Sequence, residues 1–558
     1  MLHPIVPAPQ SPWRRQALRV PPGDESLLTV PRLRDAVAPA QQNCELLDAS
    51  EANLQGRTLG RLREWTRQLA VRAAAGNGDE TTTGRNEQAE SGLLFVTGHQ
   101  PSLFHPGVWA KNFAVHALAQ ATGGTALNLI IDNDVLANRR IRVPAGDRAA
   151  PRVEWAAFDQ PLPAQPWEDA VIGDWRLFDS FGERLTEHVA AWGIVPIAAE
   201  AWSAARSAAA NGAGLCDALS AVRIASERRW GVWNRELRLS RMCESDAFLW
   251  FASHLLAHLP RFRDVHNAML DEYRRVNRLR SRTHPVPELA SDGEWLEAPF
   301  WVWRAGEPRR RRVFARQAGR CVELFDGEDV FCTLRLRPDM DGCCAVEDLR
   351  ELASRGVRFR TRALTTTLFA RLCLADLFVH GIGGAKYDEM TDRLIARFFG
   401  VPAPAFLTLS ATLRLPLGEP FDATVEDARR LQRQLREVDS TPGRFVAPDS
   451  GPEVAGLIAE QQRLLREQDA VRSSSAGLSR RMRRLRSREN HVRFLRLREI
   501  RAALARRASA IRRQLEDESD RVQRQLRANA VLTDRDYSFC LYPEHKLRPF
   551  LTTLWDRS

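Results

Sequence analysis

Residues 92–134 read GLLFVTGHQPSLFHPGVWAKNFAVHALAQATGGTALNLIIDND. GLLFVTG (92–98) is a short apolar run of strand length. A loop-like stretch follows, and VWAKNFAVHALAQATGG (108–124) then alternates with helical period and ends in Gly-Gly. ALNLIIDND (126–134) is a second apolar run closed by acids. Strand, helix and strand within about forty residues make a βαβ unit, which builds a parallel sheet through a right-handed crossover. Ligands of such sheets bind beyond the carboxyl ends of the strands. Those ends here carry Gly98-His99-Gln100 and Asp132-Asn133-Asp134.

The same pattern returns near residue 375. ADLFVHG (375–381) reads as a strand, IGG as a tight turn, AKYDEMTDRLIARFFG (385–400) as a helix closed by Gly400, and AFLTLSATLRL (405–415) as another strand. Upstream, 27–75 has helical periodicity through Leu59, Leu62, Trp65 and Leu69, and 76–92 reads as a flexible polar loop. Residues 150–240 are Trp- and Ala-rich and read as mainly helical, and 244–282 as a helix pair. Four runs between 295 and 336, among them RRRRVFARQ, predict antiparallel strands in a small inserted subdomain. Near the C-terminus Val454, Leu457, Gln461, Leu464, Gln468 and Val471 fall on one a/d seam, and RSSSAG (472–477) breaks it. Ile500, Leu504, Ile511, Leu515 and Val522 then resume the heptad, which predicts an antiparallel coiled-coil hairpin. The resulting segments are an N-terminal helical part and loop (1–91), two parts of the parallel-sheet core (92–240 and 351–450) around the insertion (241–350), the coiled coil (451–530) and a docking segment (531–558).

Composition bounds the function. The 558 residues carry a net charge of +11, with 44% hydrophobic and 27% charged residues, which excludes a wholly disordered chain. Nine Cys with no CxxC pair exclude a disulfide scaffold and offer no zinc-ligand spacing. The first twenty residues lack a signal-peptide h-region and no apolar run approaches membrane-spanning length, so a cytoplasmic location, reduced thiols and no membrane partner are expected. Of 81 basic residues only Lys111, Lys386 and Lys546 are Lys. Where Arg so dominates, a Lys marks a position that can need a compact amine with a tunable pKa.

Four constellations could carry chemistry. In the first, Gly98, His99, Gln100, His105, Lys111 and Asn112 surround a strand end and a helix N-terminus, a place suited to a phosphate or carboxylate. Its spacing partly matches the His-x-Gly-His element of class I aminoacyl-tRNA synthetases, except that Val108 takes the fourth position. In the second, Asp132, Asn133 and Asp134 could hold hydroxyls, an amine or Mg²⁺, or form a solvated turn. In the third, Gly383, Gly384, Lys386, Tyr387 and Asp388 open a helix as an anion-binding turn, without Walker A spacing. In the fourth, Tyr537, Tyr542, His545 and Lys546 either dock the C-terminus or touch substrate. His254 and His258 have helical i,i+4 spacing but lack the HExxH Glu, so no metal site is assigned.

In this order the pieces resemble the bacillithiol biosynthesis cysteine-adding enzyme family. Its Thr-Gly-Gln-Gln strand end corresponds to Thr97-Gly98-His99-Gln100, its Asp-His-Asp to Asp132-Asn133-Asp134, and its later Gly-rich turn to Gly381-Ile382-Gly383-Gly384-Ala385-Lys386-Tyr387. The chain departs from the pattern at His99, at Asn133 and at His105-Pro106-Gly107. The resemblance implies an α/β fold: a Rossmann-like parallel-sheet core, an inserted small subdomain and a C-terminal antiparallel α-helical coiled coil. It also implies a ligase-like enzyme condensing a carboxylate with an amine-bearing small-molecule substrate. Amide formation needs an activated carboxylate, for which ATP is the candidate cofactor. His99, His105 and Lys386 are then the candidate catalytic groups. The coiled coil is expected to dimerise the enzyme. A class I synthetase-like nucleotide-binding protein is one alternative; a nucleic-acid partner for the Arg-rich coiled coil is the other and is disfavoured, because Asp and Glu are interspersed.

Overall fold

The computed structural model describes residues 18–75, 92–281, 283, 286–446, 451–473 and 480–558. Most of the loop expected at 76–92 and part of the break expected at 472–477 lie outside the described residues. The strands of the two six-stranded sheets are β1 (Ser26–Val30), β2 (Leu94–His99), β3 (Thr125–Ile130), β4 (Arg235–Arg238), β5 (Ser291–Asp292), β6 (Trp295–Arg304), β7 (Glu307–Ala318), β8 (Cys321–Phe325), β9 (Val330–Leu334), β10 (Val357–Thr361), β11 (Leu377–His380) and β12 (Phe406–Thr412).

The βαβ unit forms as its sequence requires. Strands β2 and β3 pair in parallel from Leu94↔Thr125 to His99↔Ile130. They belong to a six-stranded sheet of order β1-β12-β11-β2-β3-β4, in which only β1 runs antiparallel to its neighbour. The crossover helix Pro106–Thr122 starts two residues before its apolar period, because Pro106 suits the first turn and His105 caps it. Gly123, in the left-handed region at φ 66°, closes it. The helix start lies so near β12 that a Cβ on Gly107 would meet the Ala411 carbonyl oxygen at 2.2 Å. Gly107→Ala is therefore expected to lower stability by about 1–3 kcal/mol, read as a reduced urea midpoint at unchanged m-value.

Two of the six strands lie where helix was expected. β1 overlaps the start of 27–75, where its five residues before Pro31 are too short for a helical period and an edge position on β12 satisfies them. β4 falls inside 150–240 and pairs with β3 through only four residues. That is shorter than any window in which periodicity could show it. The antiparallel sheet, order β5-β6-β7-β8-β9, gains β10 beside β6 and so runs to Thr361, beyond the expected boundary at 350.

By packing the chain divides into two units: residues up to 145 with 153–416 and 535–558, and residues 146–152 with 417–534. Both sheets lie in the first. The C-terminal segment docks there, with Tyr537 and Tyr542 fully buried, Tyr542 Oη donating to the Leu413 carbonyl at 2.8 Å, and Lys546 3.5 Å from Asp24. The second unit holds the helices Val425–Ser440, Pro452–Ser473, Arg480–Arg507 and Ser509–Leu532. Val454, Leu464, Leu497, Ile500 and Leu504 are buried together, whereas Ile511 is 39% exposed just after a helix break at Ala508 that the heptad pattern did not signal. Among the described residues no helix is long and apolar enough to cross a membrane.

Candidate functional site

The end of β2 holds the first constellation. His99 packs edge-on against Phe104 with ring centroids 5.1 Å apart, and its Nδ1 lies 3.1 Å from the Gln100 carbonyl oxygen. A carbonyl can only accept, so the proton is assigned to Nδ1 and Nε2 is the acceptor. Burial, helped by the Lys111 charge, lowers this ring to about 3 and keeps it neutral at pH 7. Lys111 is 5% exposed and reaches back from the helix to donate from Nζ to the Gly98 carbonyl at 2.9 Å. Burial lowers its amine to about 8.

Two expected members of this group are occupied structurally. His105 Nδ1 accepts from Gly107 N–H at 3.1 Å as a helix cap, which removes that nitrogen from acid–base work. Asn112 Nδ2 donates to Glu227 at 2.8 Å, beside Trp109 Nε1 at 2.6 Å, in a buried network that continues to Arg223 and Glu236. The cavity among His99, Gln100, Asn112 and Arg223 is only about 10 Å³, room for one water.

The acidic turn after β3 divides its roles. Asp132 is fully buried and accepts from Ser240, from N–H at 2.8 Å and from the hydroxyl. Burial raises its pKa. Asn133 Nδ2 donates to the Thr361 carbonyl at 2.8 Å. Asp134 alone faces outward, 41% exposed, accepting from Gln100 Nε2 and lying 3.3 Å from Arg310. The first two constellations thus meet at the Gln100–Asp134 contact, a consequence of β2 and β3 being parallel neighbours. Asp132 holds the turn without lining the adjacent pocket, whereas Asn133 both holds the turn and borders that pocket.

A pocket of about 330 Å³ opens between this turn and the Arg-rich face of the antiparallel sheet. The two-residue period of β7 puts Arg310 and Arg312 on one face, and Trp301 stands opposite Arg312 in register. The Arg310 and Arg362 guanidiniums lie 5.0 and 4.4 Å from the centre of the Trp301 ring, at cation–π distance. Arg310 Nη1 donates to the Asn133 carbonyl at 2.9 Å, and Arg362 Nη1 to the buried Glu297 at 2.7 Å. Arg312 lies 3.5 Å from Glu297. Three guanidiniums thus face two carboxylates, and the opposite wall is apolar, with Ile131, Phe262 and Leu394. Such a pocket suits a small carboxylate or phosphate ester with an apolar body. On the same face Arg360, 2% exposed, binds Glu168 at 2.8 Å and Glu244 at 2.7 Å. Burial still pushes Glu168 up to about 7 against that pairing.

The Gly-rich segment, expected as a tight turn before a helix at 385, is instead the first turn of the helix Ile382–Leu394, and it contributes nothing to this pocket. Gly384 is required by space, since a Cβ would stand 2.8 Å from His380 Nδ1. Gly383 and Lys386 are exposed, and Tyr387 packs against the main core. Asp388 is buried against Arg371 Nη1 at 2.8 Å and His380 Nε2 at 2.6 Å. The three Lys separate accordingly: Lys111 buried at the strand end, Lys386 exposed, and Lys546 paired with acids. His254 and His258 stack at 4.8 Å, but among the described residues no group of three or more His, Cys, Asp or Glu could share an ion. No protein-family model matches the chain, and no curated protein shows significant similarity to it.

Sequence reading missed Arg310, Arg312, Arg362, Trp301 and His266. An unbroken run of Arg shows no alternation, so its inward face is invisible until β6 supplies the register. Arg362 and His266 arrive from distant segments with no local motif.

Proposed function

We propose that this protein is a ligase-like enzyme that binds a small carboxylate-bearing metabolite in the pocket beyond β3 and joins it to an amine, as the bacillithiol cysteine-adding family does. The observation that supports this most is the incompletely neutralised Arg310–Arg312–Arg362 cluster over an apolar wall, at the strand end where parallel sheets hold ligands. The neutral His99, at the neighbouring β2 end and outside this pocket, is an acid–base candidate there, and the exposed Lys386 remains a candidate for an incoming anion such as ATP. The helices Pro452–Ser473 and Arg480–Arg507 carry the coiled-coil reading, through the antiparallel ion pairs Arg496–Glu460 at 2.9 Å and Arg507–Glu453 at 3.2 Å. A homodimer through this hairpin belongs to the same proposal. Because these Arg already face acids, RNA or DNA binding has less support.

Metabolite profiling of a deletion strain tests the assignment. A carboxylate and an amine should accumulate, and the purified protein should condense them in an ATP-dependent reaction. Absence of any accumulating carboxylate would remove the reading. With those substrates Arg310→Gln should raise the carboxylate KM about tenfold or more at nearly unchanged Tm, because it loses a charged donor while its partner Asp134 stays half-solvated.

A further inference from the structure

His266 lies in the same pocket, on the helix Leu259–Asn277, and is 4% exposed. Its neighbour Asn267 is clamped by β5's approach: the Leu289 N–H donates to Asn267 Oδ1 at 2.9 Å, and Asn267 Nδ2 donates to the Leu289 carbonyl at 2.9 Å. These two bonds fix which end of the amide is oxygen. That oxygen lies 3.1 Å from His266 Nδ1 and can only accept, so the imidazole proton is on Nδ1. Nε2 is therefore a lone-pair nitrogen, and among the described residues no protein group donates to it. Burial also lowers the His266 pKa, which keeps the ring neutral. On the wall of the pocket this acceptor is open to a hydrogen-bond donor carried by a ligand.

Arg310 and Arg362 supply the complementary half. Besides lying over the Trp301 ring, each donates its hydrogen bond to protein from Nη1, so further N–H groups of both guanidiniums remain for a ligand. We propose that His266 is the proton acceptor of this pocket. A carboxylate ligand would rest its anion on Arg310 and Arg362, its apolar body on Phe262 and Leu394, and donate a hydroxyl or amine hydrogen to His266 Nε2. In turnover the O–H or N–H bond breaks, its electron pair stays on the ligand heteroatom, and the proton makes His266 an imidazolium. This rests on the pocket being the substrate site but adds a donor on the substrate and a residue that receives its proton.

The test is calorimetric titration of the full-length protein with two acids that differ by one donor, 3-phenyllactate and 3-phenylpropionate. Wild type should bind phenyllactate roughly tenfold more tightly, the value of one well-placed hydrogen bond to a buried acceptor. His266→Phe, which keeps a ring beside Phe262, should bind both acids equally and at the wild-type phenylpropionate affinity. Long-range ¹H–¹⁵N correlation on wild type should show His266 protonated at Nδ1 only, a readout that does not depend on the variant folding. Equal binding of the two acids by wild type, or a proton on Nε2, would overturn the role of His266 while leaving the pocket intact. Binding of neither acid would overturn the carboxylate pocket itself, and this inference with it.

Discussion

Replacing Lys111 by methionine is expected to stabilise the protein by about 2–3 kcal/mol at pH 7. The amine is buried and its pKa falls from 10.5 to about 8, which corresponds to a cost of about 3 kcal/mol while both folded and unfolded chains carry the charge. The hydrogen bond to the Gly98 carbonyl returns a fraction of that, about 1 kcal/mol. Below pH 8 the full cost is present. Between pH 8 and 10.5 the folded amine is neutral while the unfolded chain still binds the proton, so wild-type stability rises with pH. Above 10.5 neither state is charged and the cost is gone. Urea midpoints of wild type and Lys111→Met should therefore differ most at pH 7 and converge by about pH 10.5. A constant gap, or a less stable variant at pH 7, would show that the amine is not held as described.

Arg371→Leu is expected to lose about 3–5 kcal/mol, the cost of leaving buried carboxylates without their cation. Arg371 is buried under the Gly-rich turn, 2.8 Å from Asp388 and 2.6 Å from Asp392, and it also donates to the Pro404 carbonyl. Burial pushes the Asp388 carboxyl upward, but Arg371 and His380 together hold it below its ordinary value. A depressed carboxyl contributes stability that is present above its unfolded pKa and lost as pH falls through the folded one. Wild type should accordingly lose stability in acid more steeply than Arg371→Leu, which has already forfeited this contribution. Asp388→Leu added to Arg371→Leu should cost less than the two single changes summed, because the pair acts as one unit. Strict additivity would place Asp388 outside this network.

Several parts of this picture were legible without coordinates. The apolar runs at 92–98 and 126–134 with a helical period between them specify a βαβ unit, because local periodicity and a parallel crossover admit little else. The Gly400 stop and the helix pair near 250 follow from equally local rules. β1 and β4 were not legible, since four or five residues fix no period and a neighbouring strand decides their state. At the candidate site Gln100 and Asp134 were expected to face a ligand; the structure instead joins them by a hydrogen bond, which follows from strand order.

The sequence by itself determined an α/β fold with a mostly parallel sheet, and an unusual choice of cation at three positions. It could not rank those positions. Burial separated Lys111 from Lys386, and the inward turn of Asp132 and Asp388 converted two expected ligand contacts into supports. The pocket itself was decided only by tertiary structure. Its guanidiniums come from β7 and from the residue after β10, its ring from β6, and its imidazole from a helix some fifty residues earlier in the chain. Side chains that far apart share no local pattern, and only strand register within the antiparallel sheet and the helix packed on it make them neighbours.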